Sequence, residues 1–267
     1  MKRYRVKPGD TIDLSKFDAG STEAFEGSKK DAEEQLLELN DRLEVLQEAL
    51  WAENEHKVLV ILQGMDTSGK DGTIRHVFEG VNPLGVRVAA FKAPNEDELD
   101  HDFLWRVHPK VPGRGEMVIF NRSHYEDILV VRARNLAPPD VWRPRYDQIN
   151  DFERLLAETG TVILKFFLHI DKDEQKERLQ ARIDDSGKRW KFRVGDLEDR
   201  LYWDDYLKAY EEALARTSQK HAPWYVVPAN RKWYRNLVVA TILVKALEDL
   251  DIKVPEPAED LKDVVIE

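Results

Sequence analysis

Residues 57–63, KVLVILQ, run straight into Gly64-Met65-Asp66-Thr67-Ser68-Gly69-Lys70-Asp71, and this junction restricts the fold more than any other stretch of the chain. A short, unbroken apolar run ended by glycine is the pattern of a strand covered on both faces, as in parallel sheets flanked by helices. The eight residues after it satisfy GxxxxGK, with Asp71 where the usual motif has Ser or Thr. With glycine usage near roughly 7%, the bare pattern arises by chance in about one chain in ten of this length. Here a buried strand precedes it and a helical pattern follows. That context aims the amides of a helix start at the loop, where N–H groups and the helix dipole hold an anion.

Comparable apolar runs recur at RVAAF (87–91), MVIF (117–120), TVILKFFLHI (161–170) and WYVVPA (224–229). Helical spacing is expected near 72–81, 96–107, 124–134, 140–158, 172–184, 197–216 and 232–250. An amphipathic helix carrying Leu36, Leu37, Leu43, Leu46 and Leu50 comes before them, between about 29 and 55. Strands alternating with helices imply right-handed crossovers, so the expected fold is α/β: a three-layer α/β/α sandwich around a parallel sheet. With 267 residues, one large domain is the simplest division. We read an N-terminal arm over 1–28, a core over 29–250 with a lid at about 172–200, and an acidic tail over 251–267.

The chain has no cysteine, which excludes a disulfide framework, a thiolate metal site and a cysteine nucleophile. The N-terminus, MKRYRVKPGD, lacks the apolar core of a signal peptide, and no stretch nears the roughly 20 apolar residues of a membrane span. A cytoplasmic protein without membrane contact is expected. The net charge of −10 argues against nucleic acid as a partner. Arg and Lys nonetheless gather between 172 and 200, which suits a small polyanion held in a focused cleft.

Candidate residues follow from the loop outward. Gly64, Met65, Thr67, Ser68, Gly69, Asp71 and Gly72 form the cradle and Lys70 reaches the phosphates. Asp66 is out of place in an anion-binding loop unless it meets a cation or takes a proton; holding Mg²⁺ or activating the attacking oxygen are its two expected roles, with a solvated turn residue as the alternative. Next, MVIF leads into Asn121-Arg122-Ser123-His124-Tyr125-Glu126-Asp127, at the strand end where open α/β sheets bind ligands. Arg122 is expected to clamp a phosphate, unless it forms a structural ion pair, and Asp127 to be the second metal ligand. Arg178 and Arg182 share one helix face, with Lys188 and Lys191 following in the lid; these are expected to close over phosphates. Arg75 and Lys92 extend the basic rim. His101, His108 and His169 show no metal-ligand spacing, and none of the tryptophans is singled out.

With GMDTSGKD (64–71) and NRSHYED (121–127) side by side, the chain resembles the second family of polyphosphate kinases, whose members carry a GxDxxGKD loop and a DRSWY or NRSHY second motif. The likeness continues through GKRWK (187–191) and APWYVVPANRKWYRN (222–236), spanning about 25–250. The resemblance implies a thymidylate-kinase-like P-loop kinase with a helical lid. It implies inorganic polyphosphate as phosphate donor, nucleoside mono- and diphosphates as acceptors, Mg²⁺ (or Mn²⁺) as cofactor, and a homo-oligomer, dimer or tetramer. Asn121 and Glu126 depart from residues common in the family, bear on acceptor choice, and resemble the subgroup that takes both AMP and ADP. An ATP-dependent nucleoside monophosphate kinase and a non-catalytic nucleotide sensor are the competing readings of the same loop.

Overall fold

Ser28 and Asp31 each accept a hydrogen bond from the other's backbone N–H, a reciprocal cap that starts α1 (Lys29–Glu53). The computed structural model describes residues 1–256; most of the expected acidic tail, 257–267, lies outside the described residues. In chain order α1 is followed by β1 (Lys57–Gln63), α2 (Lys70–Val77), β2 (Val86–Ala90), α3 (Glu96–Leu99), β3 (Met117–Asn121), α4 (Glu126–Ala133), α5 (Pro139–Trp142) and α6 (Arg145–Glu158). Then come β4 (Thr161–His169), α7 (Lys172–Asp184), α8 (Val194–Leu201), α9 (Trp203–Thr217), β5 (Trp224–Pro228) and α10 (Lys232–Glu248).

All five strands are parallel, in the order β2-β3-β1-β4-β5. β1 is central, and Val58 through Leu62 are completely buried, as an apolar run between two helical layers must be. One layer comprises α1, α2 and α10; the other comprises α4, α6 and α9. The three-layer expectation therefore holds. Since every strand runs the same way, the segments after β1, β3, β4 and β5 emerge at one edge of the sheet, and β1 is where the crossovers change direction, the usual place for a ligand crevice.

Several sequence expectations are corrected. Among the described residues β2 pairs only with β3, and Val88 is 52% exposed, so β2 is an edge strand and not a doubly covered one. The helix expected over 96–107 stops at Leu99, because the Asp102 carboxylate takes the Leu104 N–H and closes a local turn. The helix expected over 140–158 divides into α5 and α6 at Pro144, which has no N–H to continue the ladder. The one expected over 197–216 becomes α8 and α9, joined at Tyr202. The N-terminal arm lies along β5: Val6 N–H donates to Trp224 O at 2.9 Å, and Arg5 bridges Tyr225 in antiparallel sense, covering an edge that would otherwise be open. Among the described residues no helix is long and apolar enough to cross a membrane.

Candidate phosphate-binding site

The chain leaves β1 at Gly64 with φ +151°, and a Cβ there would sit 2.7 Å from both Leu168 O and Ser68 Oγ. Gly69, φ +102°, is the N-cap of α2. Only glycine meets both demands without strain. The first N–H groups of α2 have no intrahelical partner and face the loop. Lys70 folds back over it: Nζ donates to Gly64 O at 2.8 Å and Met65 O at 3.3 Å. Burial, and secondarily the Arg122 guanidinium, push the Lys70 ammonium down to about 8. Around the cradle, Gln63 Oε1, Thr67 Oγ1, Ser68 Oγ and Thr73 Oγ1 are buried without a hydrogen-bond partner among the described residues, an arrangement that calls for a polar occupant or water.

Asp66 meets its cation in Arg122, whose Nη2 lies 2.6 Å from Oδ1. Arg122 also reaches Glu126 at 3.2 Å, so it is ion-paired on two sides, as the alternative reading expected. Glu126, and after it Asp66, hold the guanidinium well above its ordinary value. Burial pushes the Glu126 carboxyl up in spite of Arg122 and Lys70. Arg122 has φ +63°, unusual for a side chain of its size, with its N–H bonded to Leu62 O. Asn121 Nδ2 donates to Asp71 Oδ1 at 2.7 Å and so ties the end of β3 to the start of α2.

Asp127 is placed differently from the expectation. It faces Arg106, 3.4 Å away, and Arg145, 3.9 Å away, while Asp66 faces Arg122; the two acids expected to share a metal are bound to different cations. Burial pushes the Asp127 carboxyl up, against both arginines. Among the described residues there is no group of three His, Asp or Glu side chains arranged for a metal ion. Magnesium, however, is commonly held by one or two carboxylates, with phosphate oxygens and water completing the octahedron. Asp66 and Asp71 each keep an Oδ2 that accepts no hydrogen bond among the described residues, so the loop's donors fit such an ion bound together with phosphate.

The lid cations separate into two groups. Arg178, expected to neutralise phosphate, has all five N–H bonds in use: Nε to Glu174 Oε1, Nη1 to Thr67 O and Ser68 O, Nη2 to Ala229 O and Asn230 O, at 2.6 to 3.1 Å. In this arrangement it braces the loop, where a phosphate-facing guanidinium was expected. Arg182 pairs with Asp196 of α8 at 3.4 Å and stays half-buried; burial, then the negative charge of Asp66, raise the Asp196 carboxyl. Lys188 pairs with Asp185, Lys191 lies 5.1 Å from the ring centroid of the exposed Trp190, and Arg75 and Lys92 are exposed outside the cradle. Sequence reasoning missed Arg106 and Arg145, and also Arg235, whose Nη1 reaches Ser68 O at 3.3 Å. The only signal for Arg235 was its place in the 222–236 segment.

Comparison with known proteins gives consistent matches. The model of the polyphosphate kinase 2 family fits residues 26–255. The AMP/ADP-polyphosphate phosphotransferase of Meiothermus ruber is 61% identical over 267 residues, 100% of either chain. The ADP-polyphosphate phosphotransferase of Rhodopseudomonas palustris is 44% identical over 271 residues, 96% of this chain and 92% of its own. The crystal structure of polyphosphate kinase 2 from Arthrobacter aurescens superimposes with a TM-score of 0.94 at 45% identity, covering 97% of this chain and 92% of that one.

Proposed function

Because the chain belongs to the polyphosphate kinase 2 family, we propose that it transfers the terminal phosphate of inorganic polyphosphate to nucleotides, taking AMP to ADP and ADP to ATP. The observation that carries this reading is the loop between β1 and α2, where helix-start amides and Lys70 stand with the Asp66–Arg122 ion pair. The Meiothermus ruber relative is named for both acceptors, and it matches along the whole chain.

Phosphoryl transfer asks a protein for placement and charge and needs no nucleophilic side chain. A terminal phosphate oxygen of the nucleotide attacks the end phosphorus of the polyphosphate, the bridging P–O bond breaks, and the chain leaves one phosphate shorter. Reversal of the same steps returns phosphate to the polymer. Lys70 and the amides of Gly69 through Gly72 hold the phosphates flanking the transferred group, while Arg122 and Arg182 face the charge that develops on it. Asp66 and Asp71 would hold Mg²⁺ or Mn²⁺, with Asp127 as a further acid once Arg106 and Arg145 release it. A bound ion would supply positive charge against the phosphate oxygens during transfer. Asn121 and Glu126 stand at the acceptor side. Lid closure brings Lys188 and Lys191 toward the polyanion. We place the enzyme in the cytoplasm as a homo-oligomer.

The test supplies ADP, Mg²⁺ and long-chain polyphosphate and follows ATP by luciferase, with AMP replacing ADP in a second arm and adenylate kinase inhibited. ATP formed in the absence of any nucleoside triphosphate supports the donor assignment. Phosphorylation of AMP by ATP alone returns the protein to the nucleoside monophosphate kinases, and binding without turnover makes it a sensor. Lys70→Ala, Asp66→Ala and Asp127→Ala should each abolish most turnover in a folded protein; a variant that keeps near wild-type activity removes its residue from the scheme.

A further inference from the structure

Arg235 sits in the first turn of α10 and is 2% exposed. Its Nη1 donates to Ser68 O at 3.3 Å, and Nε and Nη2 donate to Asn236 Oδ1 at 3.1 and 2.8 Å. These acceptors are neutral, and among the described residues no carboxylate comes within ion-pair distance of the guanidinium. Burying a cation without a counter-charge is unfavourable, so buried arginines are ordinarily paired. The second loop-bracing arginine, Arg178, does have an acid, Glu174, at 2.6 Å. Arg178 is itself close enough to add to the unfavourable charge at Arg235, and burial together with both arginines depresses the Lys232 ammonium as well.

The guanidinium lies directly against the loop. A Cβ on Gly69 would come within 1.8 Å of Nη1, and one on Gly72 within 3.2 Å of Nη2. The two glycines that shape the start of α2 are thus also the two that admit the buried cation to its rear face. Among the described residues nothing neutralises it there, while the front face of the same turn presents free N–H groups to an anion.

We infer that Arg235 is an electrostatic positioning residue for the phosphate chain, a buried positive charge behind the loop whose counter-charge is the phosphate held on the amide side. It touches no substrate and acts through the field at Gly69 and Lys70. This inference rests on the phosphate-binding reading of the loop, though not on polyphosphate being the donor.

Binding of inorganic tripolyphosphate, without metal or nucleotide, is measured by calorimetry at low and moderate salt for the full-length wild type, Arg235→Gln and Arg235→Lys, alongside thermal unfolding of each ligand-free protein. Loss of a unit charge this close to the loop predicts binding weaker by about tenfold or more in Arg235→Gln. Its salt dependence should be shallower and its ligand-free melting temperature unchanged or higher, because an unneutralised buried charge has gone. Arg235→Lys keeps the charge and should keep most of the affinity. In turnover, KM for the phosphate donor should rise more than kcat falls. Affinity within about twofold of wild type in Arg235→Gln overturns the inference. So does equal loss in both variants accompanied by a lower melting temperature, which marks a purely structural brace. If wild type ignores tripolyphosphate but binds ATP, the donor assignment fails; Arg235 is then judged by the same comparison with ATP as the probe.

Discussion

The strongest stability prediction concerns Lys165 and Glu153, which pair at 2.5 Å with both side chains wholly buried between β4 and α6. Lys165 Nζ also donates to Tyr125 OH and Thr217 O, each at 2.8 Å, and Tyr125 OH donates to Glu153 Oε1 at 2.8 Å. Replacing one partner leaves a buried charge alone, which costs about 3 to 5 kcal/mol. At roughly 2 to 4 °C per kcal/mol for a protein of this size, Lys165→Met should melt about 6 to 20 °C below wild type. Replacing both partners with apolar groups removes the orphaned charge. The double variant Lys165→Met/Glu153→Leu should therefore recover much of the loss and show coupling of about 2 kcal/mol or more in a double-mutant cycle. Urea unfolding of the four proteins measures this. Strict additivity of the two single changes, or a Lys165→Met variant within about 1 kcal/mol of wild type, would refute the reasoning. Burial alone pushes the Glu153 carboxyl up; Lys165 and the His124 hydrogen bond outweigh it and bring it below its ordinary value. A depressed carboxyl contributes stability above its unfolded pKa of about 4.5 and loses it as pH falls through the folded value. Acid unfolding of wild type below about pH 4.5 should thus be steeper than that of the double variant.

Three further outcomes follow from the loop. Gly69→Ala places a Cβ 1.8 Å from Arg235 Nη1 at φ +102°, so backbone strain of about 1 to 3 kcal/mol joins a displaced cation, and tripolyphosphate affinity and melting temperature should fall together. Arg178→Lys loses the fork that spans Thr67 O, Ser68 O, Ala229 O and Asn230 O; amide exchange across 64–70 should speed up and kcat should drop, and retention of both would deny the bracing role. Arg122→Ala should lower kcat by about 10³ or more, as for an arginine facing transferred charge, and a loss under tenfold would leave it only its ion pairs with Asp66 and Glu126.

The strand at 57–63, the cradle at 64–71 and the charged strand end at 121–127 are written in local patterns, because apolar runs, glycine spacing and helix starts depend on neighbours a few residues away. The family motifs are equally local, which is why the family and a candidate phosphate loop were legible in the sequence. Element boundaries were less so: Asp102 and Pro144 ended helices that apolar periodicity would have carried on. What folding alone decided is which group each charge serves. Arg178 looks like a phosphate ligand on its own helix, yet apart from Glu174 its acceptors lie 111, 110, 51 and 52 residues away; Arg235 reaches across 167 residues to Ser68. Asp66 and Asp127, both expected to hold the metal, were given to different arginines. A guanidinium's donors are satisfied by whatever oxygens packing brings within about 3 Å, and in this chain the closure of β1, β4 and β5 side by side made that choice.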